Sequence, residues 1–258
     1  MTETPPRFLL PFVVDHPDLP PPTRAASNLD LYLPSGPGPH PVVLLVHGGP
    51  IPADLDVRPR GWPVKHGYAA LLVAAGVAAA VVDHRLHVVD TPDGPTVDAV
   101  SAAADVAAAT ATLRAHPDLD PDRVVYWAFS GGGLLSADWL RDRPTWLRAI
   151  FLSYPLLASP APRLPAEDRL GLDPRFAPIE AVAEAGAAAP PIVLTRVGRE
   201  RPLLAGFVEE FVAAAAKAPL EIIDVPDGQH AFDVLDDTDQ SRAALRAAVA
   251  RAAQLLRD

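Results

Sequence analysis

The feature that most constrains the fold is a regular alternation of short apolar runs with longer helical stretches, which begins near residue 40. Six runs have the length of a buried strand, at 41–46, 77–82, 123–129, 149–153, 191–196 and 220–225. Helical patterns occupy 62–75, 96–115, 131–141, 202–216 and 240–256. Continuous apolar strands that alternate with helices are typical of a parallel sheet covered on both faces. The sequence therefore predicts one doubly wound α/β domain over residues 1–258.

Two segments depart from this pattern. The first 40 residues are rich in proline and contain two short pieces, 7–14 and 28–33, that predict edge strands. The stretch 156–190 is longer than the other crossovers, and its helical signal is weak outside 179–188. We interpret it as a small cap segment or an irregular insertion within the domain, after the sixth strand.

The composition argues against several classes of function. A formal net charge of −10, without a block of Lys or Arg, makes nucleic acid or an anionic membrane surface an unexpected partner. The chain has no cysteine, which excludes disulfides and a cysteine nucleophile and favours a reducing compartment. The N-terminus lacks the basic region of a signal peptide, and the apolar run 68–82 is too short to span a bilayer. We therefore expect a cytoplasmic protein.

A serine between a strand and a helix is the first indication of chemistry. The predicted strand 123–129 leads into the sequence AFSGG at 128–132, and a helical pattern follows at once. A strand, a one-residue turn and a helix form the strained arrangement that projects a hydroxyl above a parallel sheet, and small neighbours let the backbones approach. Ser130 is therefore the candidate nucleophile. Because serine is also a common helix N-cap, a capping role is the alternative.

A glycine pair lies where an oxyanion would need donors. The sequence HGGP at 47–50 follows a predicted strand, and glycines there can direct bare backbone amides at a tetrahedral oxyanion. The candidate donors are Gly48 and Gly49, together with Gly131 at the start of the helix after the serine. The proline that follows cannot donate, and His47 is interpreted as ordering the loop. A turn without function is the alternative.

A histidine and a glutamate complete the set. His230, in DGQHAF at 227–232, directly follows the last predicted strand, so its loop reaches the same sheet edge as Ser130. Glu200, in GRERP at 198–202, follows the preceding strand. A carboxylate on the imidazole nitrogen remote from the serine would fix the tautomer and stabilise the imidazolium. A surface glutamate paired with a neighbouring arginine is the alternative for Glu200.

These motifs, in the order Ser, acid, His, resemble the α/β-hydrolase fold family over about residues 28–257, and more closely its dienelactone-hydrolase-like and prolyl-oligopeptidase-like esterase branches. The resemblance implies a mostly parallel eight-stranded sheet with antiparallel first strands and a Ser–His–Asp/Glu triad, whose members here would be Ser130, His230 and Glu200. It also implies hydrolysis of an ester or related acyl bond of a small molecule, with no cofactor and no metal. Dienelactone hydrolases proper differ from this chain in using a cysteine nucleophile. Ala128 and Glu200 replace the commoner Gly and Asp and keep the required size or charge.

Arginines form a further candidate site. Five of them lie on loops predicted at the same edge of the sheet: Arg58, Arg60, Arg85, Arg199 and Arg201. Guanidinium groups hold carboxylates through charge-assisted, often bidentate, hydrogen bonds. Arg58 and Arg85 are therefore the candidate residues for binding a substrate carboxylate. Pairing of these arginines with nearby acidic residues is the alternative.

The same residues suggest other functions less well. The sequence DHRLH at 83–87 has a histidine spacing that suits a metal, although a place in the pocket wall fits its position after a strand better. The glycines at 131–133 have no continuation that would bind a nucleotide phosphate. A non-catalytic binding protein on the same fold, an acyltransferase and a peptidase are the alternatives to an esterase.

Overall fold

In the computed structural model, which describes residues 6–257, eight of ten strands form one sheet. The strands in chain order are β1 (Thr23–Ala26), β2 (Leu29–Tyr32), β3 (His40–Val46), β4 (Ala78–Val82), β5 (Val88–Thr91), β6 (Gly94–Val97), β7 (Leu119–Phe129), β8 (Leu147–Ser153), β9 (Ile192–Arg199) and β10 (Leu220–Gln229). The sheet order is β1-β2-β4-β3-β7-β8-β9-β10. Within this sheet, β2 pairs antiparallel with β1 and β4, and the other pairs are parallel. The predicted fold class is thus confirmed.

Helices cover both faces of this sheet. They are α1 (Pro63–Ala74), α2 (Ala99–Arg114), α3 (Ser136–Asp142), α4 (Pro178–Ala185), α5 (Pro202–Ala214), α6 (Phe232–Leu235) and α7 (Asp239–Arg257). One core cluster takes residues from α2, α3, α4 and α5, and the other takes them from α1, α6 and α7. Successive residues of β3 alternate between the two clusters, since Leu44 joins the first and Leu45 the second. Burial on both faces explains why these strands are continuous apolar runs.

The predicted edge strand at 7–14 is wrong. Arg7–Leu9 is a 3₁₀ turn, and the first strand is β1, which begins at the end of the proline-rich turn cluster. Phe12 and Val14 are buried in the core cluster beside α1, with the Phe12 ring 4.9 Å from that of Tyr68. The apolar residues of this segment therefore pack on a helix, and Pro11 lacks the N–H that a strand ladder requires.

The region between β4 and α2 also differs from the prediction. The sequence predicts a helix from 96, whereas β5 and β6 form an antiparallel hairpin and α2 begins at Ala99. The Asp98 side chain accepts a hydrogen bond from the Ser101 amide at 3.0 Å and caps the helix. An N-cap aspartate sets this helix start more strongly than the apolar periodicity does.

The segment 156–190 is ordered as short turns and one helix. Ala161–Arg163 and Ala166–Asp168 are 3₁₀ turns, α4 follows, and Gly171 is joined to the hairpin by hydrogen bonds with Val97 and Pro95. Its role as a cap stays a prediction. No helix within residues 6–257 is long and apolar enough to cross a bilayer.

Candidate active site

The turn after β7 holds Ser130 in a strained conformation. Its φ is 49°, in the left-handed region that non-glycine residues rarely adopt. The chain continues as a 3₁₀ helix over Ser130–Leu135 and only then as α3, in place of the single helix predicted over 131–141. Three successive glycines disfavour an α-helical start, and a Cβ on Gly132 would lie 2.4 Å from the His47 carbonyl oxygen. The glycines thus let this turn pack against the loop after β3.

Three side chains that directly follow strand ends meet above the sheet. Ser130 follows β7, Glu200 follows β9 and His230 follows β10. The Ser130 Oγ lies 2.8 Å from His230 Nε2, and His230 Nδ1 lies 2.5 Å from Glu200 Oε2. Because parallel strands end at one edge, residues 70 and 100 positions beyond the serine reach one site.

The electrostatics of Glu200 suit an ionised hydrogen-bond acceptor. Its side chain is 3% exposed, and its other oxygen accepts a hydrogen bond from the Arg201 amide at 2.8 Å. Burial raises the pKa of Glu200, but hydrogen bonds from His230 and the Arg201 amide outweigh it, so this pKa is lowered overall. An ionised Glu200 accepts a hydrogen bond from His230 Nδ1–H, which leaves Nε2 without a proton and able to accept a hydrogen bond from the Ser130 hydroxyl. The arginine pairing also exists, since Arg201 Nε lies 3.6 Å from Glu200 Oε1.

The loop HGGP lies directly against the serine turn. A Cβ on Gly48 would lie 2.9 Å from the Ser130 Cβ, and a Cβ on Gly131 would lie 2.0 Å from the Gly49 carbonyl oxygen. Only glycines permit this approach. The amides of Gly48 and Gly49 donate no hydrogen bond to any group of residues 6–257. The Gly131 amide lies in the first turn of a helix, where intrahelical acceptors are lacking. The backbone of Gly48, Gly49 and Gly131 thus lies at the serine turn.

Two stacked histidines, His47 and His84, hold the loop after β3 through hydrogen bonds. The ring centroids of His47 and His84 lie 3.6 Å apart, and both residues are buried. His47 Nδ1 donates to the Gly48 carbonyl at 2.6 Å, and its Nε2 accepts from the His84 amide at 3.3 Å. Burial lowers the pKa of His47 well below its usual value and that of His84 to about 4. Both rings are therefore neutral near pH 7, and neither reaches Ser130.

A cavity of about 310 Å³ opens beside Ser130 and His230, a size that suits a small molecule. Apolar side chains make most of its wall: Phe8, Ile51, Trp62, Val64, Phe129 and Val234. Lys65, Tyr154 and Asp233 add polar groups that the sequence analysis did not single out. One signal was available, because Lys65 is one of only two lysines among 22 basic residues. No residue of 156–190 lines this cavity.

The candidate arginines lie elsewhere. Arg85 makes a bidentate ion pair with Asp105 on α2, at 2.9 and 2.8 Å, and Arg58 donates to the Ala53 carbonyl at 2.9 Å. Both line a separate cavity that also contains His84 and His87. The structure does not bring these arginines to Ser130, because Asp105 and the loop after β3 hold them away. In the described part of the chain, no cluster of three or more acidic, histidine or cysteine side chains could hold a metal.

Comparisons with known proteins agree on the fold. No family model matches the chain, and no curated protein matches it. The chain is similar to EstE1, a thermostable carboxylesterase from a metagenomic library, at 19% identity and a TM-score of 0.69 over 95% of this chain and 92% of that one. It is also similar to brefeldin A esterase, a bacterial homologue of human hormone sensitive lipase, at 20% identity and a TM-score of 0.65 over 89% and 73% of the two chains. A third similar structure is Thermogutta terrifontis esterase 2 phosphoramylated by tabun, at 18% identity and a TM-score of 0.60 over 85% and 86%. With the strand order, these likenesses show that the chain has the α/β-hydrolase fold.

Proposed function

We propose that this chain is a serine hydrolase that cleaves a carboxylic ester of a small molecule through an acyl-enzyme. The observation that carries this proposal is the continuous hydrogen-bonded series from Ser130 through His230 to Glu200, beside backbone amides without protein acceptors. A nucleophile, a base, an orienting acid and oxyanion donors at one cavity are the parts that acyl transfer needs.

In the proposed reaction, His230 Nε2 takes the Ser130 proton while Oγ attacks the ester carbonyl. The carbonyl oxygen becomes an oxyanion, which the amides of Gly48, Gly49 and Gly131 stabilise. His230 then returns the proton to the leaving alcohol, and the acyl-enzyme remains. A water molecule repeats the attack with His230 as base, which releases the acid and restores the serine. Throughout, Glu200 holds the imidazole in the required tautomer.

The similar structures support a hydrolase. All three described above are esterases by name, and one is phosphoramylated by tabun, an organophosphorus agent. The motifs favour the dienelactone-hydrolase-like and prolyl-oligopeptidase-like branches, whereas brefeldin A esterase is a homologue of hormone sensitive lipase. We therefore propose the reaction, and the branch stays a prediction.

A fluorophosphonate probe tests this proposal. Wild-type protein should be labelled at Ser130, and Ser130→Ala should abolish both the label and the hydrolysis of short-chain 4-nitrophenyl esters. Ser35→Ala, at an exposed serine between β2 and β3, is the matched control and should retain both. A folded wild-type protein that no such probe labels would be a binding protein and not a serine hydrolase. A label on another serine would contradict the assigned nucleophile.

A further inference from the structure

A buried lysine faces the catalytic cavity without a polar partner. Lys65 lies on α1, is 3% exposed and lines the cavity that contains Ser130. Among residues 6–257, its ammonium takes part in no hydrogen bond and has no carboxylate oxygen within ion-pair distance. Lysine is rarely buried unless it is paired, because the charged form loses its hydration. This ammonium therefore has hydrogen-bonding capacity that the protein itself does not use.

The aromatic surroundings place the amine beside the nucleophile. Lys65 Nζ lies 3.0 Å from the ring centroid of Phe129, the residue before Ser130, and 5.9 Å from that of Tyr68. A cation over an aromatic face is stabilised by the ring quadrupole, which helps to hold the charge in this position. The rings, however, accept no strong hydrogen bond, so the ammonium donors stay available to a molecule in the cavity.

The one acidic group on this wall is engaged elsewhere. Asp233 Oδ2 accepts hydrogen bonds from Tyr154 at 2.6 Å and from Tyr68 at 3.2 Å. The pKa of Asp233 is raised overall, because the effect of burial outweighs the hydrogen bonds from the two tyrosines and the charge of Lys65, which lower it. Both hydroxyls donate to the same oxygen of this carboxylate, and among residues 6–257 no ion pair joins it to Lys65. At the same cavity, the exposed Arg7 is a second basic group.

We propose that Lys65 binds a carboxylate on the acyl part of the substrate, so that the preferred substrates are half-esters of short dicarboxylic acids. This inference rests on the proposed function, since it assigns the substrate class of the same site. A carboxylate supplies the acceptor and the counter-charge that the buried ammonium lacks. Binding of a substrate carboxylate, which the sequence predicted for Arg58 and Arg85, is thereby assigned to Lys65, which lines the cavity.

Two substrates of matched shape test the inference. Mono-4-nitrophenyl succinate carries the carboxylate, and 4-nitrophenyl 4-oxopentanoate replaces it with a neutral methyl ketone. We expect wild-type protein to favour the succinate in kcat/KM by at least about tenfold, the size of a hydrogen bond to a charged group. Lys65→Met should remove most of this preference, chiefly through KM, and Lys65→Arg should retain part of it. Lys217→Met, at the other lysine, which is exposed, should leave the preference as in wild type.

The possible results distinguish a failure of the carboxylate site from a failure of the proposed ester hydrolysis. A wild-type protein that is labelled at Ser130 but hydrolyses the neutral ester as well as the succinate would refute the carboxylate site and keep the hydrolase. An unchanged preference for the succinate in folded Lys65→Met would also refute the carboxylate site. If the Tm of this variant were lower as well, the role of Lys65 would be structural. A reduced preference together with an equal or higher Tm would support the carboxylate site, because burying a lysine without a partner costs stability. The wild-type comparison decides against the inference even if every Lys65 variant fails to fold.

Discussion

At the scale of single residues, the glutamate that contacts the imidazole should control turnover. Glu200→Gln keeps the size of the side chain but presents an amide to His230 Nδ1 and no longer stabilises the imidazolium. We expect kcat to fall on the order of 10³ to 10⁴, as in other triads with this change. Stopped-flow or steady-state assays with 4-nitrophenyl acetate would measure kcat. Asp168→Asn, in an exposed 3₁₀ turn, is the control. Near-normal turnover in Glu200→Gln would transfer the orienting role to another acid.

The buried lysine should also leave a signature in the pH dependence of stability. Burial lowers the pKa of Lys65 from 10.5 to about 7, and Asp233 opposes this shift. Between these values, and with no carboxylate bound in the cavity, the unfolded chain binds the proton and the folded chain does not. Raising the pH from about 7 to about 10 therefore favours the folded state, by up to about 1.4 kcal/mol per pH unit for this group. His47 and His84, which also face the lysine, are already neutral in this range.

Urea unfolding at several pH values would measure this effect. Wild type should gain stability relative to Lys65→Met as the pH rises, because the variant lacks the titrating group. Lys217→Met should stay parallel to wild type, since the lysine that it replaces is exposed in the folded state. A constant difference between wild type and Lys65→Met across this range would mean that the folded protein keeps the lysine charged.

The residues that the sequence identified differ in position from Lys65, one of the cavity residues that it missed. Ser130, Glu200 and His230 each directly follow the end of a strand, so chain order and the geometry of parallel strands bring them together. Lys65 lies within a helix, and nothing in its local pattern shows which face is buried. Its position depends on Phe129 and on the cavity wall, which exist only after the chain folds.

At the scale of elements, the contact between the loop after β3 and the turn after β7 should tolerate no side chain. Gly48→Ala places a methyl group 2.9 Å from the Ser130 Cβ, so the loop must move and its amides leave the oxyanion position. We expect kcat to fall by at least about a hundredfold, as when one oxyanion donor is lost. Gly206→Ala, in α5 with its nearest atom at 3.6 Å, is the matched control and should stabilise the protein by about 0.5–1 kcal/mol. Wild-type turnover in Gly48→Ala would contradict this role of the loop.

The sequence predicted the strands that are buried on both faces of the sheet. It did not predict the segments whose structure depends on contacts with other elements. The six apolar runs became β3, β4 and β7–β10. Burial on both faces requires apolar residues in β3, β4 and β8, whereas the edge strand β10 is half-exposed. The alternating piece at 7–14 has the pattern of an edge strand, yet its apolar residues pack on α1 instead. The hairpin of β5 and β6 is short, with β5 exposed, so it lacks the apolar pattern that marks the other strands.

At the scale of the whole molecule, the N-terminal segment and the region after β10 meet at the cavity. Arg7 and Phe8 line it from the N-terminal segment, and His230 and Val234 line it from the region after β10. The backbone connects these regions directly, since the Val13 amide donates to the Asp233 carbonyl at 3.0 Å. The N-terminal segment therefore forms a wall of the site although it contributes no strand to the sheet.

This arrangement predicts that the N-terminal segment affects substrate binding more than turnover. Phe8 stacks on Trp62 with ring centroids 5.0 Å apart and shapes the cavity, but it lies outside the series of hydrogen bonds through Ser130. Phe8→Ala removes apolar contact area from the bound substrate, so KM for an ester that fills the cavity should rise about tenfold while kcat changes little. For 4-nitrophenyl acetate, which is too small to reach this wall, KM should change less. Leu10→Ala, in the same segment but not on the cavity, is the control for local stability. Equal effects on kcat for both esters would instead mean that the segment supports the catalytic geometry through Asp233 and His230.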